Sequence, residues 1–188
     1  EYYPEDIEDL VVKKNGAVVE AVQVKNISAD LTLSSLAATK TSKGGEGFFN
    51  RMCSLHAQNP FFHRIKVVYF NTLGVELQEM QSGKAVTKKA LTKRLVDKHG
   101  LSESEAVWLI DSLCFEKVNL DDLDLNIQTQ ISDYVPVMSA PALAKDLLIQ
   151  YISVLSKSKG YTTLKMWQDK IHEIGTNIAA LDGFYKEY

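Results

Sequence analysis

At 188 residues with 45% hydrophobic content, the chain is long enough for one sizeable core, or for one domain with a smaller appended one. A net charge of -3 and a pI of about 5.8 exclude a uniformly basic nucleic-acid coat, so any contact with DNA or RNA has to come from a local cluster or from a metal that offsets the charge. No apolar run approaches the roughly 20 residues that span a bilayer, which argues against a membrane partner, and no basic-then-apolar leader opens the chain. Two cysteines far apart in sequence, Cys53 and Cys114, fit core thiols in a reducing cytoplasm better than a disulfide framework.

The first elements read as β-structure. Asp6 to Lys13 is rich in Ile, Leu and Val, Asn15-Gly16 is a hairpin turn signal, and Ala17 to Lys25 returns as a second β-rich run. Alternation along that second strand puts Val18, Val22 and Val24 on one side and Val19, Ala21, Gln23 and Lys25 on the other. Gln23 and Lys25 therefore share a face. The chain starts at Glu1-Tyr2-Tyr3 with no initiator Met, which suggests a piece of a longer polypeptide.

Asn26 to Gly47 is polar and small, with a short helix expected over 31–38. Its hydroxyls and lysines, among them Ser34, Lys40 and Lys43, are candidate phosphate contacts, although a solvated loop has the same composition. Glu46 to Gln58 carries Phe48, Phe49, Met52, Cys53 and His56 at helical spacing, Asn59-Pro60 stops it, and Arg64 to Asn71 reads as a third strand. The order hairpin, helix, strand predicts an α/β layer with a crossover on a mixed sheet. His56 falls near the apolar stripe and reads as a packed histidine, not a catalytic one.

From Ser82 the periodicity turns helical. Val86 to His99 carries Lys88, Lys89, Lys93, Arg94 and Lys98, a basic face that solvation alone explains but that could touch a nucleic-acid backbone. Ser102 and Glu105 form a capping-box signal for a helix running to about Cys114. Asp121, Asp122 and Asp124 read as the acidic first turn of a helix over 119–132. Further helices are expected over 142–157, 163–174 and 177–188. The resulting division is a sheet core over 1–80 and a mostly helical extension over 81–188.

The chemistry lies in the hairpin. A carboxylate and a second oxygen ligand on adjacent strands, with a lysine two residues after the second ligand, would hold Mg²⁺ beside an ammonium able to stabilise a pentavalent phosphate. This arrangement resembles the PD-(D/E)XK nuclease superfamily, whose pattern is a carboxylate at a strand start followed by (D/E/Q)-x-K on the neighbouring strand. Glu8-Asp9-Leu10-Val11-Val12 and Ala21-Val22-Gln23-Val24-Lys25 are most similar to the Mrr-like restriction nucleases and to DNA-cutting domains joined to bacterial antiviral sensors. The resemblance implies a restriction-endonuclease-like mixed sheet with flanking helices. It also implies a Mg²⁺- or Mn²⁺-dependent endonuclease acting on double-stranded DNA in antiviral defence, as a homo-oligomer through the full-length protein.

By that resemblance Asp9 is the metal carboxylate, Gln23 a ligand or ligand positioner, the Val24 carbonyl a further ligand and Lys25 the catalytic lysine. The superfamily core also begins with a helix and a first strand, neither of which is visible before Glu1. Turn register decides between two acids. A two-residue Asn15-Gly16 turn puts Glu8 opposite Gln23, whereas a three-residue Lys14-Asn15-Gly16 turn with a bulge puts Asp9 on the face of Gln23 and Lys25. The resemblance favours Asp9 and the bulged turn, with Glu8 the alternative metal carboxylate. Two other readings compete: an inactive nuclease-like fold that binds nucleic acid or assembles, and an RNA-cleaving nuclease of the same fold.

Overall fold

The computed structural model describes residues 1–4, 9–37, 47–134 and 140–186. The fold is α/β, a five-stranded mixed sheet in the order β1-β2-β3-β4-β5 with flanking helices and a mostly helical C-terminal part. The strands are β1 (Tyr2–Pro4), β2 (Leu10–Lys14), β3 (Ala17–Lys25), β4 (Arg64–Tyr69) and β5 (Leu113–Lys117). The helices are α1 (Leu33–Ala37), α2 (Phe48–Gln58), α3 (Val75–Gln81), α4 (Ala85–His99), α5 (Glu103–Ser112), α6 (Leu120–Tyr134), α7 (Pro141–Ser158) and α8 (Leu164–Lys186). The chain divides into two compact units, Val12–Val118 and Glu1–Val11 with Asn119–Tyr188.

In the Val12–Val118 unit, β3 and β4 run parallel with Ala21 against Ile65, Gln23 against Val67 and Lys25 against Tyr69. β4 and β5 are also parallel, pairing Ile65 with Leu113 and Val67 with Phe115. Partners across a ladder project to the same side. One side of these three strands therefore carries Ala21, Gln23, Ile65, Val67, Leu113 and Phe115, all buried. The other side carries charge: Arg64 pairs with Glu20 at 3.5 Å and Lys66 with Glu116 at 2.7 Å.

Helix α2 makes the crossover from β3 to β4 and buries Phe48, Phe49, Met52, Cys53 and Leu55. His56 is packed as its sequence position suggested, its ring stacked on Trp108 at 4.0 Å and 12°, with Nδ1 3.0 Å from the Phe62 carbonyl oxygen. Glu76 at the start of α3 ties three helices together. It accepts from the Leu33 backbone N–H at 3.2 Å and from Arg94 of α4 at 2.7 Å. The Leu31–Leu73 bridge leaves Gly74 so close that a Cβ there would stand 3.0 Å from the Leu31 carbonyl oxygen, which accounts for glycine at this entry to α3.

The expected boundary at residue 80 falls inside α3, within the Val12–Val118 unit. The reason is β5. The helix expected to reach Cys114 stops at Ser112, and Leu113 and Phe115 alternate with Cys114 and Glu116 to extend the sheet. A strand at Tyr2–Pro4 was also not expected: three residues are too few to show a period, and proline suits only an edge strand.

The second unit holds α6, α7 and α8 around Ile131, Ala144, Leu148, Ile171, Ile174 and Ile178. Residues 163–174 and 177–188, expected as two segments, contribute to one helix through Lys186. The buried stripe Ile171-Ile174-Ile178 continues past Gly175 and offsets the roughly 1 kcal/mol that a mid-helix glycine costs. β1 joins this unit by reciprocal backbone bonds between Tyr2 and Thr162, at 2.7 and 3.0 Å. Lys145 of α7 pairs with Asp124 of α6.

Candidate functional site

The hairpin turn sets the geometry. Asn15 has φ +52° and Gly16 φ +81°. Positive values at both positions define a two-residue type I′ turn, whose twist matches that of the flanking strands. The three-residue bulged turn is not formed, since it would need a right-handed Asn15. Lys14 therefore faces Ala17, and Val12 faces Val19 on the side of β3 that carries Gln23 and Lys25. Within β2, Leu10 shares the parity of Val12, and Asp9, exposed at the bend before the strand, has that of Val11. This is the two-residue register, not the bulged one that the resemblance favoured. Glu8 lies outside the described residues, as do Lys40 and Lys43.

Gln23 is 7% exposed, a polar side chain in an otherwise apolar layer. Its Nε2 donates to the Val24 carbonyl at 3.4 Å, so Oε1 is the oxygen with which the amide would meet a cation or a donor. Lys25 is half-buried at the last position of β3, opposite Tyr69. The structure thus brings Gln23, Val24 and Lys25 together at the C-terminal end of a strand between two neighbours. Ser34 is exposed on α1, in the segment that follows β3.

A Mg²⁺ site requires oxygen ligands, in practice with one or two carboxylates. Gln23 and the Val24 carbonyl offer neutral oxygens only. Among the described residues no group of three or more His, Cys, Asp or Glu side chains could hold a metal. The described residues alone do not fit a divalent cation.

Of the basic residues on α4, Lys88 is paired with Asp111 at 2.7 Å and Arg94 with Glu76, which makes them structural. Lys89, Lys93 and Lys98 are exposed. Cys53 is buried, and burial together with the nearby Glu105 pushes its thiol up to about 11. A thiol so poorly ionised is a packing group, not a nucleophile.

Sequence reasoning passed over a cavity of about 420 Å³ lined by Lys14, Asn15, Ala17, Val19, Phe61 and His63, all within the Val12–Val118 unit. Two adjacent phenylalanines after Asn59-Pro60 were the available signal. Phe62 is fully buried and Phe61 is 72% exposed.

No family model matches the chain, and no curated protein matches it. Among solved structures it is similar to the Cap4 SAVED/CARF-domain containing receptor of Moraxella osloensis, at 17% identity and a TM-score of 0.45. The match covers 81% of this chain and 36% of the receptor chain, so this chain spans about a third of that protein's length. Among the described residues no helix is long and apolar enough to cross a membrane.

Proposed function

We propose that the C-terminal end of β3 is the catalytic corner of a metal-dependent endonuclease that hydrolyses double-stranded DNA, as an effector in bacterial antiviral defence. The observation that carries this reading is Gln23 and Lys25 on one face of a strand that is joined to β2 by a tight turn and to parallel β4 through a crossover helix. That is the element order which the hairpin's resemblance to PD-(D/E)XK nucleases implies. Glu8, from the register of the turn, is the first candidate for the acid, and Asp9 the second.

Phosphodiester hydrolysis forms a bond from a water oxygen to phosphorus as one P–O ester bond breaks, with the water's proton passing to the leaving alkoxide side. Bound Mg²⁺ or Mn²⁺ would polarise the phosphate and lower the pKa of that water. Lys25 supplies a fixed positive charge for the oxygens of the pentavalent phosphate, in a half-buried position where it acts through less solvent than on an open surface. Gln23, whose Nε2 donates to the Val24 carbonyl, would offer Oε1.

Lys25→Ala in the full chain should abolish Mg²⁺-dependent plasmid nicking and leave the circular dichroism spectrum unchanged; equal cutting by variant and wild type ends the assignment. Single-stranded DNA and RNA run beside the plasmid separate a DNA nuclease from an RNA nuclease of the same fold. The neutral, buried amide at position 23 also suits a nuclease-like fold that binds nucleic acid or assembles without cutting. Mn²⁺ binding followed by electron paramagnetic resonance decides between them without relying on activity.

A further inference from the structure

The turn before β4 is built to hold one aromatic ring in solvent. The Phe62 backbone N–H donates to the Asn59 carbonyl at 2.9 Å, closing a turn with Pro60 and Phe61 at its centre. Asn59 is fixed in turn, its Nδ2 donating to the Leu55 carbonyl at 3.0 Å and its Oδ1 accepting from the Val18 N–H at 3.4 Å. Phe62 is sunk in the core beside Trp108, with ring centroids 5.6 Å apart. The His63 N–H donates to the Val19 carbonyl at 3.3 Å, locking the turn to β3. With its neighbours so anchored, Phe61 cannot turn inward, and burying it would be worth about 1.5–3 kcal/mol that the fold forgoes.

What surrounds that ring is cationic and hydrogen-bonding. Lys14 is exposed, and among the described residues its ammonium meets no carboxylate. The Nδ1–H of His63 donates to the Phe61 carbonyl at 2.7 Å, so Nε2 is the nitrogen left for a ligand. Asn15 lies at the tip of the hairpin and lines the cavity. None of the described lining side chains is acidic. A flat aromatic face beside a lysine, a histidine and an amide suits a ligand with its own π-face and an attached anion. The volume, about 420 Å³, lies in the range of small-ligand pockets, about 300–1,000 Å³.

We propose that Phe61, Lys14 and His63 form a nucleotide-binding platform, on which an unstacked base lies against Phe61 with its phosphate against Lys14 and His63. The choice of a nucleotide rests on the nucleic-acid reading above, but the platform is separate from the catalytic corner. Val19 and Lys25 are six residues apart on β3, about 20 Å. The same chemistry is met in a free mononucleotide and in an unpaired nucleotide of a strand.

The test is a fluorescence-anisotropy titration of the full chain, in the Lys25→Ala background to prevent cutting, with labelled oligothymidylate of about ten nucleotides, a site size within the common range. Competition by free thymidine monophosphate and by a blunt duplex completes it. Phe61→Ala should weaken oligonucleotide binding about 5- to 150-fold, and Phe61→Trp should restore it. Lys14→Glu should weaken it and lower the salt dependence by about one phosphate contact. Competition by the monophosphate, lost in Phe61→Ala, identifies free nucleotide as the source; competition by strands alone identifies the unpaired strand.

Wild-type and Phe61→Ala proteins of equal affinity overturn the platform, as does wild type that binds duplex only or nothing. A change in oligomeric mass on Phe61→Ala with unchanged affinity also overturns it and makes Phe61 a protein contact. If Lys25→Ala still cuts plasmid, the nuclease assignment fails while this titration retains its meaning.

Discussion

Gln23 lies directly across the parallel ladder from Val67, a neutral amide in a layer otherwise made of Ala21, Ile65, Leu113 and Phe115. A buried amide stabilises a fold only as far as its hydrogen bonds repay the loss of water, whereas leucine would fill the same space without a polar atom to satisfy. Gln23→Leu should therefore keep or raise the urea midpoint while losing plasmid cleavage. Gln23→Ala should lose both, with a stability cost of about 1–3 kcal/mol. Gln23→Leu that cuts at the wild-type rate would remove this residue from the site.

The acid of the proposed site follows from Asn15 and Gly16. Because the turn has two residues, Glu8→Ala should reduce cleavage and Mn²⁺ binding far more than Asp9→Ala. Each removes a charge from a possible metal ligand, so the comparison is controlled for net charge. A larger effect from Asp9→Ala on Mn²⁺ affinity would mean that the acid reaches the metal by a route other than the strand register.

The turn itself is open to a stability test. A Cβ at Gly16 would meet nothing within 4 Å, so the cost of Gly16→Ala is the left-handed backbone alone, about 1–2 kcal/mol. Gly47→Ala, where φ is negative and the nearest atom is 3.9 Å away, should be neutral within about 0.5 kcal/mol. Equal urea midpoints for the two variants would contradict the type I′ geometry.

The hairpin was legible because Asn-Gly and alternating valines act over neighbouring residues, and local geometry decides them. What was not legible depended on distant partners. Leu109, Ile110 and Leu113 fit one helical stripe, and only the β4 edge turns Leu113 and Phe115 into a strand. The length of the hairpin turn, two residues or three, depended on the backbone of a single residue, Asn15, which tolerates either handedness. Phe61 and Phe62 are identical in type, and only the bond from Phe62 to Asn59 determines which one the core takes.

The α5 capping box gives a pH-dependent prediction. Ser102 Oγ accepts from the Glu105 N–H at 3.3 Å, and the Glu105 carboxylate accepts from the Ser102 N–H at 2.8 Å and from its hydroxyl at 2.6 Å. Those bonds from the Ser102 side chain and backbone hold the Glu105 carboxyl below the usual glutamate range. A carboxyl with a lowered folded-state pKa stabilises the fold fully above its unfolded pKa, about 4.3, and loses that contribution as pH falls through the lower folded value. Glu79, hydrogen-bonded by Lys84 and Thr87, and Asp124, by Lys145, are shifted the same way, so the wild-type curve alone does not isolate Glu105. Glu105→Gln keeps an acceptor for the Ser102 N–H but does not titrate. Its urea midpoint should approach that of wild type as pH is lowered from about 6 to 3, while Ser102→Ala should cost about 0.5–2 kcal/mol at neutral pH. A gap between Glu105→Gln and wild type that stays constant over this range would show that the carboxylate's charge contributes nothing to the cap.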